Sequence, residues 1–378
     1  MLEPRSEADL AEAVRGLSAP VELRGGGTRP LGRPVQAAET LSVAGLRGIS
    51  LYEPGALTLV AAAGTPVAEV EAALAAEGQR LPFEPIDHRA LLGTGGEPTL
   101  GGMVAVNASG PRRVQAGACR DSLIGVRFVD GAGRVVKNGG RVMKNVTGYD
   151  LVKLLAGSHG TLGALTELAF KVLPLPEASA TLRLTGLSDA EAVAAMTAAL
   201  TSPFDVTGAA HLPGEGTLLR IEGFADSVAY RTGRLRDRLA PHGEAEAVTD
   251  AEAQAALWRR VRDAEPFAGR EGAVWRVSVR ASDGPAARAA LPEAEAFYDW
   301  GGGLVWLLTP EEGDAGAARL REAAGRLGGH ATLVRASAAT RAAVAPFQPE
   351  APALTRLSEA LRARFDPRGL LNPGRMGA

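Results

Sequence analysis

"MKNVTGYDLVKLLAGSHGTLGALTELAFKVLPLP", residues 143–176, holds two periodicities and the border between them. Leu151, Leu154 and Leu155 fall at i, i+3 and i+4, so 150–156 is expected to be a short helix that Gly157 ends. From Ala164 the period becomes two. Thr166, Leu168, Phe170 and Val172 share one face, with Glu167 and Lys171 on the other, which predicts a strand. Pro174 and Pro176 stop that strand and mark a domain border. Gly148, Gly157, Gly160 and Gly163 punctuate its first part, 143–163, which holds two of the chain's four lysines, Lys144 and Lys153. Glycine costs about 1 kcal/mol of helix stability relative to alanine. In an alanine-rich chain such a run implies a sharp backbone turn or something that comes very close to the backbone.

Upstream, Ser6–Glu7–Ala8–Asp9 has the form of a helix-opening capping box, with an apolar-periodic run to about Leu17. Residues 20–24 read as a short strand that runs into Gly25–Gly26–Gly27–Thr28. Strand-like pieces follow at 40–43, 48–52 and 57–63. A helix then opens with Thr65 as N-cap and Pro66 at the first helical position, and closes at Gly78. This is α/β alternation. Residues 93–125 are glycine-dense with little periodicity, and 126–137 read as a hairpin around Gly131–Ala132–Gly133. Beyond 177 the reading is strand, helix, strand, strand, helix over 180–239, with a Ser188–Glu191 capping box, and the same series again over 272–336. Two such halves predict one antiparallel sheet with helices on one face, a split βαβ design. A final helix at about 351–364 precedes a turn-rich tail, 365–376, expected to return to the first domain.

The totals bound the function. At 378 residues the chain exceeds one ordinary core, so two or more domains are expected. A formal net charge of −2 offers no basic footprint for nucleic acid. The single cysteine, Cys119, excludes an internal disulfide framework and a cysteine-held iron–sulfur cluster within this chain, and no metal site is expected. The apolar runs are short and glycine-broken, so no membrane span is expected, and the polar, acidic first residues lack the pattern of a signal peptide. The resulting expectation is a cytoplasmic protein.

Glycine clusters at 25–27, 93–102 and 157–163 allow two readings: turns, or a cradle whose backbone N–H groups converge on phosphate oxygens. A Rossmann fingerprint fails, because position 30 is proline where the third glycine belongs and no helix fits the next residues. A Walker A loop fails for want of Gly-Lys-Ser/Thr. The order of five blocks is more specific than any one of them: Arg24–Gly25–Gly26–Gly27–Thr28; Pro98–Thr99–Leu100–Gly101–Gly102; Ala105 to Gly110; Arg120 to Gly125; and Gly160–Thr161–Leu162–Gly163. This order resembles the FAD-binding domain of the vanillyl-alcohol-oxidase/PCMH-type superfamily. The run from Ser109 to Gly163, with Leu257–Trp258–Arg259, Asp299–Trp300–Gly301–Gly302 and Gly329–His330–Ala331–Thr332–Leu333, narrows the resemblance to the FAD-binding (E) subunits of bacterial glycolate oxidases.

The resemblance implies an α+β fold: a PCMH-type two-subdomain FAD-binding domain over 1–175, a cap domain with an antiparallel sheet over 176–345, and a C-terminal segment, 346–378, returning to the first. It implies that Arg24, Gly25, Gly26, Gly27 and Thr28 hold the FAD pyrophosphate, and that Pro98, Thr99, Gly101 and Gly102 form the second phosphate and ribityl loop. Asn107, Ser109 and Gly110 would lie near the flavin ring, and Arg113 would contact the cofactor through a phosphate. Arg120 and Asp121 would line the cofactor, and Gly160 and Gly163 would make room for its adenine half. Tyr149 and Lys144–Asn145 share that last block without an individual role. The first loop, RGGGTRPLG, has no histidine, so the FAD is expected to be non-covalent, with His88 the alternative attachment point.

Structural roles compete at several positions. Arg112–Arg113 could be a solvated pair, His159 a surface turn residue, Trp258, Trp300 and Trp306 packing, Asp299 a turn carboxylate, His330 structural, and Cys119 a buried filler. Oxidation of a 2-hydroxy acid such as glycolate needs a base for the hydroxyl proton and cations for the carboxylate. Catalytic relatives carry an H-H-x-G-D-G-N-like segment. Here the five histidines, at 88, 159, 211, 242 and 330, are scattered, which weighs against substrate oxidation by this chain alone. The resemblance therefore implies an accessory flavin subunit that works beside a catalytic flavin subunit and an iron–sulfur subunit and could sit at the inner membrane through that complex. A stand-alone FAD-dependent dehydrogenase of glycolate or D-lactate, with His330 or Tyr149 as base, and a scaffold without FAD are the alternatives.

Overall fold

The computed structural model describes residues 1–140 and 148–377, so the Lys144–Asn145 pair lies outside the described residues. The chain forms two compact units: Met1–Ala108 with Ala118–Leu175 and Pro349–Ala378, and Ser109–Gly117 with Pro176–Gln348.

In the first unit the helix Glu7–Gly16 is capped by Ser6, whose hydroxyl accepts from the Asp9 N–H. Its buried Leu10, Ala11 and Val14 join Val21, Leu41, Val129, Ala164 and Leu371 in one core cluster. That cluster ties the helix to a parallel strand pair, Val21–Arg24 with Glu39–Ser42, and to a five-stranded antiparallel sheet. The sheet runs Ile49–Glu53, Thr58–Ala62, Ala164–Lys171, Leu123–Val129, Val135–Gly139. The period-two stretch is thus the central strand, and Leu151–Leu155 is a helix capped by Asp150. One cap differs from expectation. The helix Val67–Ala76 has Pro66, not Thr65, at its N-cap. The Thr65 hydroxyl instead accepts from the Gly48 N–H, 2.9 Å away, which draws it out of the helix. Residues 93–125, without periodicity in sequence, contain short helices at Leu100–Ala105, Arg113–Ala116 and Cys119–Ser122. Each is too short for a pattern to show.

The C-terminal tail is pinned into this unit. The Phe365 ring lies 6.0 Å from that of Phe128, and Arg368 donates to the carbonyls of Val14, Arg15, Leu17 and Gly131. Asn372, buried and in the left-handed region (φ 47°), joins two distant segments. Its Oδ1 accepts from the Leu23 N–H at 2.8 Å and its Nδ2 donates to the His159 carbonyl at 2.8 Å. Arg375, also buried, donates to Glu22 at 2.6 Å. Burial and the neighbouring Arg375 push the His159 imidazole down to about 4, so it is neutral at physiological pH.

The second unit is built on one eight-stranded sheet: Ala245–Val248, Ala178–Leu184, Gly216–Gly223, Val206–Leu212, Glu295–Asp299, Leu304–Thr309, Ala273–Ser278, His330–Arg335. Each half places its third strand between its first and second, and the two second strands meet at His211 and Tyr298. Leu182, Leu219, Trp275, Val277, Val305 and Leu307 cluster with Val193, Met196, Leu235 and Leu320 of the helices. The expectation of helices on one face needs correction. The helix Ala251–Arg262 packs on the opposite face, where Trp258 Nε1 donates to Thr181 Oγ1 at 2.9 Å and the Arg220 guanidinium lies 4.4 Å over the Trp258 ring. That face carries polar side chains that need partners when covered.

The same face corrects the reading of Arg112 as half of a solvated pair. Arg112 is buried and ion-paired with Glu222, which also accepts from Thr207 Oγ1 at 2.5 Å and lies 3.4 Å from Arg220. Buried charges persist only when paired and hydrogen-bonded.

Glu222→Ala would leave two buried guanidinium groups without their carboxylate, an expected loss of about 3–5 kcal/mol. All four tryptophans lie in the second unit, so urea unfolding followed by tryptophan fluorescence reads this loss. An unchanged midpoint would refute it. In the first unit, His159 binds a proton in the unfolded chain below the ordinary histidine range but in the folded chain only near pH 4. Its contribution is therefore fully favourable above about pH 6.5 and is lost as pH falls from there to about 4, by about 2–3 kcal/mol. Hydrogen exchange of the amides of 21–24 and 157–163 across that window should show the loss in the natural chain and a flattened profile in His159→Gln.

Candidate functional site

The strand Val21–Arg24 ends in three successive glycines because the next loop leaves no room for side chains. A Cβ on Gly26 would lie 1.6 Å from the Glu97 carbonyl oxygen, and one on Gly25 would lie 2.4 Å from Thr99 Oγ1. Thr99, buried, caps the short helix Leu100–Ala105 by accepting from the Gly102 N–H at 3.3 Å. The loop 157–163 comes in from the other side. Gly160 holds φ 75°, and a Cβ there would press within 2.7 Å of Asn372 Nδ2. Asn372 thus fixes the distance between the first strand and this loop.

These segments enclose a cleft. One part is lined by Leu23, Arg24, Gly25, Gly101, Gly102, Gly160 and Gly163, among others; the adjoining part by Gly26, Gly27, Thr28, Arg29, Thr99 and Arg375. Of the residues singled out in sequence, the cleft gathers Arg24, Gly25, Gly26, Gly27, Thr28, Thr99, Gly101, Gly102, Gly160 and Gly163.

The others lie elsewhere. Pro98 gives its carbonyl to the Val67 N–H and is not among the lining residues. Asn107, at φ 51°, accepts from the Arg120 N–H at 3.0 Å. Asp121 accepts from the Ala118 N–H at 2.9 Å, so Arg120 and Asp121 face local partners at the surface. Ser109, Gly110 and Arg113 belong to the second unit, where Trp300 Nε1 donates to the Gly110 carbonyl at 3.1 Å and Arg113 lies 4.4 Å over the Trp300 ring.

Sequence reasoning missed Arg29, Asn372 and Arg375 as lining residues and left His159 open between a surface position and a flavin contact; it lines the cleft. For Asn372 and Arg375 the signal was the turn-rich tail expected to return to this unit. For His159 it was the histidine's place between glycines. The charge balance of the cleft suits an anion. Arg24, Arg29 and Arg375 line it against one carboxylate, Glu22, and His159 is neutral. Cys119 is buried, and burial pushes its thiol well above the usual range, so it is not a nucleophile. In the second unit, buried His211 is hydrogen-bonded to Thr217 at 2.9 Å and lies 3.7 Å from the half-buried Asp189, to which Tyr298 donates at 2.6 Å. Among the described residues no cluster of three His, Cys, Asp or Glu side chains could hold a metal, and no helix is long and apolar enough to cross a membrane.

The geometry fits FAD. The loops after the first strand and around Glu97 meet backbone to backbone, the 157–163 loop closes on Asn372 and Leu23, and the space between them is lined by glycines and by Arg24, Arg29 and Arg375, a lining suited to a pyrophosphate. Comparisons with known proteins agree. The FAD binding domain family matches residues 1–139. The chain is 37% identical over 377 residues to the glycolate oxidase subunit GlcE of Escherichia coli, covering 99% of this chain and 97% of that one. It is 29% identical over 187 residues to the glycolate oxidase subunit GlcD of Bacillus subtilis, covering 48% of this chain but 38% of that one. A 4-ethylphenol oxidase from Gulosibacter chungangensis has the same fold, with a TM-score of 0.70 at 12% identity over 99% of this chain and 88% of that one. With that near full-length match and an FAD-binding domain, the chain belongs to the GlcE family of FAD-linked oxidoreductase subunits.

Proposed function

We propose that this chain is the FAD-binding subunit of an assembly that oxidises glycolate to glyoxylate, and that it holds its FAD without a covalent bond. The observation that carries the reading is the cleft of three glycine loops, taken with a near full-length match to a relative named as a glycolate oxidase subunit. When bound, FAD supplies acceptance of a hydride from a C–H bond next to a hydroxyl, or passage of electrons onward.

The chain's own residues have defined tasks. Gly25, Gly26, Gly27 and Thr28 present backbone amides to the pyrophosphate, with Arg24 and Arg29 supplying positive charge. Thr99, by capping Gly102, holds Gly101 and Gly102 against the same phosphates. Gly160 and Gly163 leave space for the adenine half, and Asn372 fixes their distance from the first strand. His159, neutral, adds no charge there. The first glycine loop, residues 24–32, has no histidine, and among the described residues neither His88 nor Cys119 lines the cleft, which supports non-covalent attachment.

Onward transfer belongs to partners. One buried cysteine cannot ligate a cluster of four thiolates, so an iron–sulfur centre, if used, sits on another subunit. The chain lacks the histidine-rich segment of catalytic relatives, which supports a division in which another flavin subunit meets glycolate first. A cytoplasmic seat, with membrane attachment only through the complex, is consistent with the absence of a spanning helix among the described residues.

The purified chain is expected to be yellow, to release its flavin on acid precipitation, and to stay oxidised when glycolate is added without air. Bleaching by glycolate alone would make it a catalyst in its own right, and flavin that stays with the precipitate would refute non-covalent binding. The cradle has its own check. A Cβ at Gly102, which lines both parts of the cleft, would meet Thr99 Oγ1 at 3.2 Å and Arg29 at 4.0 Å, close but without a backbone clash. Gly102→Val should leave the apoprotein folded while weakening FAD at least about tenfold, roughly 1.4 kcal/mol. Flavin fluorescence titration of the apoprotein reads this, and unchanged affinity would move the cofactor elsewhere.

A further inference from the structure

The face of the second unit's sheet opposite its main helix layer carries a cluster of basic groups that the FAD cleft does not use. Asp299, Leu304, Ser278 and His330 pair across four strands as one rung, and Phe297, Trp306, Arg276 and Thr332 as the next. Alternation puts all of these side chains on one face, because Tyr298, Val305, Val277 and Ala331 between them lie in the helix-side core. Arg276 and His330 therefore stand on neighbouring strands of the same face.

Trp300 follows directly. It holds φ 53°, a left-handed conformation that is an outlier for a bulky aromatic residue. Two hydrogen bonds keep it there: its N–H to Asp299 Oδ1 at 2.7 Å and its Nε1 to the Gly110 carbonyl at 3.1 Å. Backbone strain of this kind persists where the surroundings over-determine it and concentrates at binding sites. The fixed ring collects two guanidinium groups, Arg113 at 4.4 Å and Arg276 at 4.9 Å from its centroid. Arg276 Nε is buried and has no hydrogen-bond partner among the described residues. Burial and then the like charge of Arg113 push the Arg276 guanidinium down to about 10, against Asp299. Burial, Arg276 and Arg113 also hold His330 below its usual range. Asp299, the one carboxylate acting on Arg276, is buried and already accepts the Trp300 N–H.

Basic groups brought together at this cost in desolvation and repulsion call for an anion. We propose that Arg276, Arg113 and His330, set against Trp300, form a binding site for a small carboxylate of the 2-hydroxy-acid or 2-oxo-acid class. A guanidinium fork matches a carboxylate in two parallel hydrogen bonds. The indole edge packs the short carbon chain, and neutral His330 is placed to hydrogen-bond the hydroxyl or oxo group. The acid class rests on the glycolate reading above; the anion site rests on the cluster itself.

Trp300 makes the site observable. Tryptophan fluorescence of the holoprotein would be titrated with glycolate, glyoxylate and oxalate, and with phosphate and chloride at equal ionic strength, while flavin absorbance is followed in the same cuvette. The expected result is a saturable change with the three carboxylates, none with chloride, and phosphate weaker by at least tenfold. Arg276→Gln should weaken carboxylate binding at least tenfold, Arg276→Lys less, and Trp300→Phe should remove the signal while calorimetry still detects binding. Far-UV circular dichroism establishes that each variant is folded. No saturable change in the natural chain, equal binding by phosphate, or an Arg276→Lys chain that binds as tightly as the natural one would each overturn the proposal. The tryptophan response does not depend on flavin reduction. Loss of the anion site with a normal flavin spectrum, or the reverse, therefore tells this proposal apart from the glycolate reading.

Discussion

The backbone approach of Gly26 to Glu97 is the constraint on which the first unit depends. A Cβ on Gly26 would sit 1.6 Å from the Glu97 carbonyl oxygen, and one on Gly96 would sit 2.4 Å from the Gly26 oxygen. Two loops thus lock main chain against main chain, and neither glycine can be replaced without moving the other loop. Thr99 extends the lock to Gly25 on one side and Gly102 on the other. Asn372 carries it across to the 157–163 loop. The cleft is what remains between these segments, so its shape is set by main-chain contact held in place by the buried Thr99 and Asn372 side chains.

The second unit is organised by a different constraint, the two unlike faces of one sheet. On the helix side, alternate residues are apolar and close a single core. On the other side Phe297, Leu304 and Trp306 alternate with polar residues, and each polar group must find a partner or face solvent. One end of that face is satisfied by Gln254 and Trp258 on Thr181, with Arg220 against Trp258 and Arg112 against Glu222. At the other end, Arg276 stands over Trp300 with its Nε unsatisfied. The face is finished where it serves packing and unfinished where basic groups gather.

Much of this was legible in the sequence, for identifiable reasons. The switch from a helical period at Leu151–Leu155 to period two after Ala164 located the central strand of the first sheet, because one face of that strand is buried and the pattern records it. The repeated strand–helix–strand–strand–helix series located the halves of the second sheet, since each half repeats the same order of elements and the first opens its helix with a Ser188 cap. The polar side of that sheet was not legible. Thr181, Arg220 and Glu222 look like solvent-facing positions until the helix Ala251–Arg262 covers them. Arg112 misled for the same reason: its partner, Glu222, is 110 residues away, and no local pattern encodes a long-range ion pair. The glycine blocks marked the cleft because glycine records a main-chain requirement. Asn372, Arg375 and His159 did not announce themselves, since a polar side chain in a turn reads the same whether it meets water or a strand 349 residues away.

The chemistry follows from what the chain withholds as much as from what it places. His159 lines the cleft but stays unprotonated well below neutral pH, so it is not tuned to take a proton there, and Cys119 is buried with its thiol pushed up, so it is not poised to attack. The cleft can bind and orient, and its guanidinium groups can neutralise phosphate, but it offers no group tuned near neutral pH to take a proton. A basic cluster in the second unit, built around a strained tryptophan, is the one place where a small acid finds charge, a packing surface and a neutral imidazole together. A subunit so arranged has a cleft that suits a flavin pyrophosphate and, on the site proposed above, a place for a small carboxylate, while its cleft holds His159 unprotonated and its one cysteine buried.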